Sequence, residues 1–330
     1  MWLASSQQSG SRASTPLTFR LSGASGSNIL ETFTVETEEP IRIDRYLASV
    51  SKLSRTRVQA LCDEGLVRVD DKPVKSSYKL SDGEVIEAEI PADQELQVEP
   101  ENIPLDILYE DSDIIVVNKP KGMVVHPAPG HENGTLVNAL LYHCHDLSGI
   151  NGVLRPGIVH RIDKDTTGCL VAAKNDAAHR SLAKQLEDKT CHREYRAIVE
   201  GILDTDAAVI DAPIGRDPRN RQRMAVTDVH GRSARTHYRV LERFRDTTYI
   251  ECKLETGRTH QIRVHMKYCG HPVLGDEKYG HKCKLMDTQG QVLHAYRLTL
   301  VHPSTGRTMV FEAPLPEYFQ QLLALLEKQK

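Results

Sequence analysis

GIVHRIDKDTTGCLVAA, residues 157–173, sets the polar stretch HRIDKDTTG (160–168) between two apolar runs, Gly157 to Val159 and Cys169 to Ala173. Short continuous apolar runs suit strands buried on both faces. The polar stretch between them is then a loop fixed from both sides, a good place for a functional carboxylate. It carries His160, Asp163 and Asp165. By residue type alone these could be metal ligands, an acid–base pair, or turn residues bonded to their own backbone.

The pattern around the loop is a mixture of strands and helices. Ile114 to Val117 is another apolar run with the look of a buried strand. Asp176 can cap a helix that puts Ala178, Leu182 and Leu186 on one face. Tyr195, Ala197 and Val199 alternate with Glu194, Arg196, Ile198 and Glu200, which is a strand period, and similar runs occupy 234–241 and 248–254. In TGRTHQIRVH (256–265), Thr259 can cap a helix that runs to about Tyr268, with Gly270 past its end. Arg263 falls in the first turns of that helix, where an interior arginine needs a carboxylate or phosphate partner. Helices and strands follow no regular βαβ order. The expectation for residues 106–325 is one α+β domain with a mixed, largely antiparallel central sheet flanked by helices and loops.

Ahead of it, 41–50 reads as a helix with Ile43, Leu47 and Val50 on one stripe. Ser54 caps a second helix that ends at Gly65. Val67 to Val69 and Val85 to Ile90 look like strands, with a turn near Asp70-Asp71. Arg55 and Arg57 open the second helix, and a helix N-terminus beside arginines makes a phosphate seat. Residues 31–90 are therefore expected to form a small α+β domain, 91–105 an acidic linker, and the serine-rich 1–30 a disordered tail.

Formal net charge is −3, but residues 82–113 hold twelve acids and no Lys or Arg, which leaves +9 elsewhere. Between Arg216 and Arg239 lie seven arginines and two aspartates. Charge segregated in this way can give a basic surface on a mildly acidic protein. Seven scattered cysteines without a Cys-x-x-Cys pair suit a reducing cytosol, hence a cytoplasmic expectation. His143-Cys144-His145 is the one dense cluster of ligand types, and it has no matching second cluster. No apolar run approaches the ~18 residues of a membrane span, and the first 30 residues lack the apolar middle of a signal peptide.

Several longer strings occur in order: VVNKPKGMVVHP (116–127), TLVNAL (135–140), HRIDKDTTG (160–168), REYRAIVEG (193–201), TGRTHQIRVH (256–265), GHPVLGDEKYG (270–280) and LHAYRLTLVHP (293–303). Together they resemble the RluA/RluD-type pseudouridine synthases. Residues 43–84, with IDRYL, LSRTR, GLVRVD and LSDGE, resemble the small alpha-L RNA-binding domain first named for a small-subunit ribosomal protein. The resemblance implies the pseudouridine synthase fold and an isomerase that needs no metal or other cofactor. It places the family's nucleophilic aspartate on Asp163, its active-site tyrosine on Tyr195, and the arginine paired with the nucleophile on Arg263. The arginine that helps extrude the base falls on Arg161. Ile162 and Thr167 stand where Leu and Ser are commoner. RNA is the implied partner, most simply large-subunit ribosomal RNA or the assembling subunit, with no membrane and a monomeric chain.

The residue types suit the chemistry. Uridine isomerisation breaks C1′–N1 and joins C1′ to C5, a change without a redox step. A carboxylate can attack and leave again, and a neighbouring guanidinium favours its ionised form. Attack on C1′, removal of a ribose proton and attack on C6 of the base all remain open at this level. Tyr195 offers a flat face to the base and a hydroxyl near its C5 proton. Two rival readings are a non-enzymatic RNA-binding factor and a metal-dependent phosphodiesterase built on His160, Asp163 and Asp165.

Overall fold

The computed structural model describes residues 17–20, 29–51, 53–90, 98–128, 130–144, 146–150 and 156–330. They belong to two compact units, Met1–Glu95 and Leu96–Lys330.

The first unit runs β1 (Leu17–Arg20), β2 (Ile29–Thr34), β3 (Ile41–Arg42), α1 (Ile43–Val50), α2 (Arg55–Asp63), β4 (Val67–Val69), β5 (Lys72–Pro73), β6 (Lys79–Leu80) and β7 (Val85–Ile90). An antiparallel sheet in the order β1-β2-β7-β4-β5 meets the two helices over a core that includes Phe33, Ile43, Leu47, Val58, Leu61, Val67 and Ile86. Helix α1 starts two residues later than its periodicity predicts, because Ile41 and Arg42 pair with β6. Ser54 caps α2 by accepting the Arg57 N–H at 3.2 Å. Gly65, at φ +74°, ends it in the left-handed conformation that favours glycine. Asp70 and Asp71 both have positive φ, as a tight hairpin turn between β4 and β5 demands. The expected disordered tail is corrected at Leu17–Arg20, which pairs with β2. Its alternation of Leu17 and Phe19 with Thr18 and Arg20 is a strand pattern that the many serines concealed. The rest of residues 1–30, apart from Ile29 and Leu30 in β2, lies outside the described residues.

Arg55 has a structural task. Asp44 is 0% exposed and accepts hydrogen bonds from Arg42 Nε at 3.1 Å, Arg55 Nε at 2.9 Å and Gln59 Nε2 at 2.8 Å. Burial pushes the Asp44 pKa up, but the bonds from Arg42, Gln59 and Arg55 outweigh it and hold the carboxyl below its usual range. A carboxylate this deep requires such partners. Arg57 is half-buried, and among the described residues its guanidinium has no ion-pair partner.

The second unit runs β8 (Ile107–Glu110), β9 (Ile114–Lys119), α3 (Leu136–His143), β10 (Thr167–Ala173), α4 (Asp176–Glu187), β11 (His192–Glu200), β12 (Ala207–Asp211), β13 (Ile214–Arg216), β14 (Met224–Val226), β15 (Arg235–Arg243), β16 (Thr247–Leu254), α5 (Gln261–Tyr268), β17 (Leu293–Val301), β18 (Thr308–Glu312) and α6 (Glu317–Glu327). Its sheet follows the order β12-β15-β16-β11-β17-β10-β9-β8, with β18 also paired to β17. Among the described residues only β10 and β17 pair in parallel, over Thr167–His294 and Gly168–Ala295. The sheet is thus mixed and largely antiparallel, as expected. Both faces of its centre are covered. Ile115, Val117, Leu170 and Ala172 face a core that includes Leu136 and Leu140 of α3 and Ile262 and Met266 of α5. Ile114, Val116, Val171 and Ala173 face Ala178 and Leu182 of α4.

Residues 91–97 of the acidic linker lie outside the described residues. The remainder, 98–105, has no regular element, yet it is tied to this unit. Val98 is buried in its core, and Asn138 of α3 bonds the backbones of Glu99 at 2.8 Å and Glu101 at 3.0 Å. Helix α4 is capped by Asn175, which accepts the Ala178 N–H at 2.9 Å, one residue before the expected Asp176. No helix among the described residues is long and apolar enough to cross a membrane.

Candidate active site

The loop that carries Asp163 ends at β10, and the start of β10 is locked between β9 and β17. Gly168 has φ +108°, and a Cβ there would lie 2.2 Å from the Ala295 carbonyl oxygen. A larger residue would therefore push β10 away from β17. Thr167 Oγ1 bonds His294 Nδ1 at 2.7 Å. Lys119, at 0% exposure, donates from Nζ to the carbonyls of Pro120 at 2.7 Å, Met123 at 2.8 Å and Lys164 at 2.9 Å. Burial pushes its pKa down to about 7. The Thr166 N–H closes a turn onto the Asp163 carbonyl at 3.1 Å. The loop therefore turns through its backbone, and the Asp163 side chain is left for other work.

That side chain keeps 17% of its surface and meets Arg263. Arg263 Nη1 donates to Asp163 Oδ2 at 2.9 Å, while its Nε and Nη2 donate to Asp276 at 2.6 and 2.8 Å. Asp276 is 1% exposed. One guanidinium therefore joins two carboxylates, bidentate to the inner and single to the outer. Burial would lower the Arg263 pKa, but the two aspartates more than reverse this and raise it. Asp276 stands in the string 270–280, but nothing in its local pattern marks it as a partner. The signal is the arginine itself, because a planar fork with several donors rarely serves one oxygen.

Arg263 is in place because α5 is almost wholly buried, from Gln261 to Met266. The helix begins later than predicted, and Thr259 does not cap it. His260 takes the N-cap position in a left-handed conformation, φ 56°, without a side-chain cap bond. Gln261 organises the entry instead. Its Oε1 accepts from Thr256 Oγ1 at 2.7 Å and Arg258 N at 2.9 Å, and its Nε2 donates to the Arg235 carbonyl at 3.0 Å. This buried amide ties the start of the helix to the preceding loop and to β15.

Tyr195 lies on β11 opposite Cys252 of β16, and the register of β11 shifts between Glu194 and Arg196 on its other side. Burial pushes its pKa up to about 12, so the hydroxyl stays protonated near neutrality. Tyr195, Asp163, Arg263, Ile162, Leu254 and Leu293 line one pocket. Arg161, an exposed residue, sits at this pocket and at a second cleft that also reaches Asp163 and Lys278. His260 adds a ring nitrogen 3.9 Å from Asp163 Oδ1. Its other nitrogen bonds the Tyr279 hydroxyl at 2.7 Å, and burial pushes its pKa down to about 4. The structure thus gathers Asp163, Tyr195, Arg263 and Arg161 at one site. Arg55 and Arg57 belong to the first unit.

His160 is not part of this group. Its Nε2 accepts the Val171 N–H at 3.1 Å, and burial pushes its pKa down to about 3. His160, Asp163 and Asp165 do not converge as a set of metal ligands among the described residues. Among the described residues, ligand-type groups converge at Glu110, His143 and Cys144 and at Asp111, Asp113 and His302. In the first set Lys174 Nζ already bonds Glu110 at 2.8 Å. In the second, His302 Nε2 bonds Asp111 at 2.7 Å, and its Nδ1 accepts the backbone N–H of Thr305 at 3.2 Å. His145 lies outside the described residues.

Residues 113–268 match the family model for RNA pseudouridylate synthase, and residues 41–86 match that of the S4 domain. The chain is 56% identical over 294 residues to the RNA pseudouridine synthase YlyB of Bacillus subtilis (strain 168), which covers 89% of this chain and 96% of the relative. It is 47% identical over 304 residues to ribosomal large subunit pseudouridine synthase D of Zymomonas mobilis, at 88% and 96% coverage. Among solved structures, human RNA pseudouridylate synthase domain containing 1 superposes with a TM-score of 0.51 at 24% identity, covering 69% of this chain and 96% of that one. That last likeness concerns the fold.

Proposed function

The chain belongs to the RluA family of RNA pseudouridine synthases, and we propose that it isomerises uridines of large-subunit ribosomal RNA in the cytoplasm with Asp163 as its nucleophile. The observation that carries this is the 2.9 Å pair of Asp163 with a buried arginine, beside Tyr195 in one pocket. The relatives named synthase D act, by their names, on the large ribosomal subunit. A carbodiimide map of pseudouridines in ribosomal RNA, with and without the protein, tests the reaction and the target together. New stops confined to transfer RNA would overturn the ribosomal assignment.

The base must first leave its stack, at a cost of a few kcal/mol. Arg161, exposed at the rim of the pocket, is placed to fill the gap that the base leaves. Tyr195 then gives the uracil a flat apolar face. Its raised pKa suits stacking and hydrogen-bond donation better than proton removal at neutral pH. Arg263 keeps Asp163 in one orientation, and Asp276 keeps Arg263. In Asp276→Asn, the guanidinium loses its charged bidentate partner and can turn away from the pose that serves Asp163. The single-turnover rate should fall about 10- to 100-fold, the cost of a charge-assisted bond, with RNA affinity unchanged in filter binding. An unchanged rate would remove Asp276 from the machinery.

The first unit supplies RNA contacts in this proposal. Seven Lys or Arg lie between Lys52 and Lys79, against four acids. Phosphate contacts weaken with salt through counterion release. A chain without residues 1–90 should bind RNA more weakly at low salt and show a shallower salt slope, while bound RNA is converted at a similar rate. Equal affinity across the salt series would contradict this role.

A further inference from the structure

Arg193 is a guanidinium without an internal task. It stands on β11 two residues before Tyr195, and it lines the same pocket as Asp163. Its Nε is buried and without a hydrogen-bond partner among the described residues, and its guanidinium has no ion pair there. The carboxylate next to it in sequence, Glu194, bonds Arg297 at 3.1 Å instead. The neighbouring His160 ring is buried and neutral, and Arg193 is one of the causes that hold its pKa down. Arg193 thus brings an uncompensated positive charge to a half-buried wall. A buried donor without a partner costs about 1–3 kcal/mol, more for a charged group. In a pocket wall, that cost points to a partner that arrives with the substrate.

The approach of the side chain is specific. A Cβ at Gly257 would lie 2.6 Å from Arg193 Nη1. Gly257 has no positive φ that would require glycine for the backbone. The space above it is therefore space for the guanidinium. Three groups so converge on the pocket: the Asp163 carboxylate, the Tyr195 ring and the Arg193 fork.

We propose that Arg193 is a catalytic residue that donates to a carbonyl oxygen of the uracil and stabilises the base as it detaches. The inference rests on the synthase reading and deepens it. When C1′–N1 breaks, the bonding pair leaves with N1 and spreads onto O2 and O4 of the ring. This holds whether the Asp163 carboxylate forms a bond to C1′ or first takes a ribose proton. The pair returns when C5 bonds to C1′. The Asp163 carboxylate is then released or gives back its proton, C5 loses its proton, and N1 gains one. Between the two steps the base is anionic. A positive fork already in place in the pocket wall favours that anion without reorganisation. Arg263 is committed elsewhere: its charge and its orientation are spent on two aspartates, which take three of its five donors.

The test uses leaving-group strength. A stem-loop is prepared with the uridine that the pseudouridine map identifies, and again with 5-fluorouridine at that position. Fluorine makes the departing base less basic, so it needs less help. In Arg193→Met, single-turnover loss of uridine should fall about 100-fold, as for removal of one oxyanion donor, with RNA affinity unchanged. Loss of 5-fluorouridine from the nuclease digest should fall less than about 10-fold under the same principle. Gly257→Ala, which displaces the guanidinium but keeps its charge, should show the same inequality in milder form. Equal penalties on both bases, or no penalty in either variant, would overturn the assignment. A wild-type protein that converts no uridine would instead overturn the synthase reading.

Discussion

Asp163→Ala protein should leave every target uridine unconverted while it folds, melts and binds RNA much as the wild type does. In the proposed function all three routes begin at this carboxylate, and no other carboxylate among the described residues has its bond to Arg263 Nη1. Asp276 is the next acid in the network, but it is 1% exposed and both its oxygens are taken by Arg263. Loss of a nucleophile that acts within a unit costs about 10⁴- to 10⁶-fold, which places single-turnover conversion below detection over a day. Stability should change little. Arg263 keeps a bidentate carboxylate in Asp276, so the substitution leaves no uncompensated buried charge, the condition that makes broken buried pairs expensive. RNA affinity should also hold, since phosphate contacts supply most of it. The measurement is carbodiimide-dependent primer extension beside filter binding and thermal melting. Conversion within tenfold of wild type would end the case for Asp163.

Much of this was legible in the sequence, and the failures have identifiable causes. The strands at 114–119, 167–173, 192–200 and 247–254 announced themselves because sheet burial imposes simple patterns on short segments. Helix starts were read less well. At α5 a side chain bonds to residues upstream of the helix, at Arg235 and Thr256, and no local cap rule contains that. At α1 the pairing of Ile41 with Leu80, far along the chain, overrode a helical pattern. The site shows the same division. Asp163, Tyr195 and Arg263 lie in strings whose order carried the resemblance. Asp276 and Lys119 are defined by burial and by partners outside their local pattern: Asp276 bonds Arg263, 13 residues before it, and Lys119 bonds the Lys164 carbonyl, 45 residues after it. Arg55 has a second task that its position did not signal. A basic residue at a helix N-terminus suggests phosphate, and the fold adds that the same guanidinium holds the fully buried Asp44. Charge in a sequence states what a residue can hold, and only the fold states what it already holds.

Arg263→Lys should lose nearly as much activity as a neutral substitution, although the charge remains. The reason is geometric. Arg263 places three donors on two carboxylates, at 2.6 and 2.8 Å to Asp276 and 2.9 Å to Asp163. An ammonium is a point donor on a flexible stem and cannot span both with one planar group. It would settle on Asp276, the more buried acid, and leave Asp163 without its fixed partner. Loss of that oriented contact should lower the single-turnover rate about 10²- to 10³-fold, or ~3–4 kcal/mol, as for one preorganised donor. RNA affinity should not move, because the guanidinium is only 8% exposed and bonded within the protein. Arg263→Met separates orientation from charge. It leaves two carboxylates facing one another at a buried site, which should cost about 3–5 kcal/mol of stability, visible as a lower melting temperature. The lysine variant, with its charge retained, should melt much closer to wild type. A lysine protein that converts uridine at more than a tenth of the wild-type rate would show that charge suffices and that the fork does not matter. A methionine protein that melts like wild type would show that the two aspartates do not depend on Arg263. The pair of variants therefore measures separately the two tasks proposed for this arginine, which are to hold the Asp163 carboxylate in place and to make the burial of Asp276 tolerable.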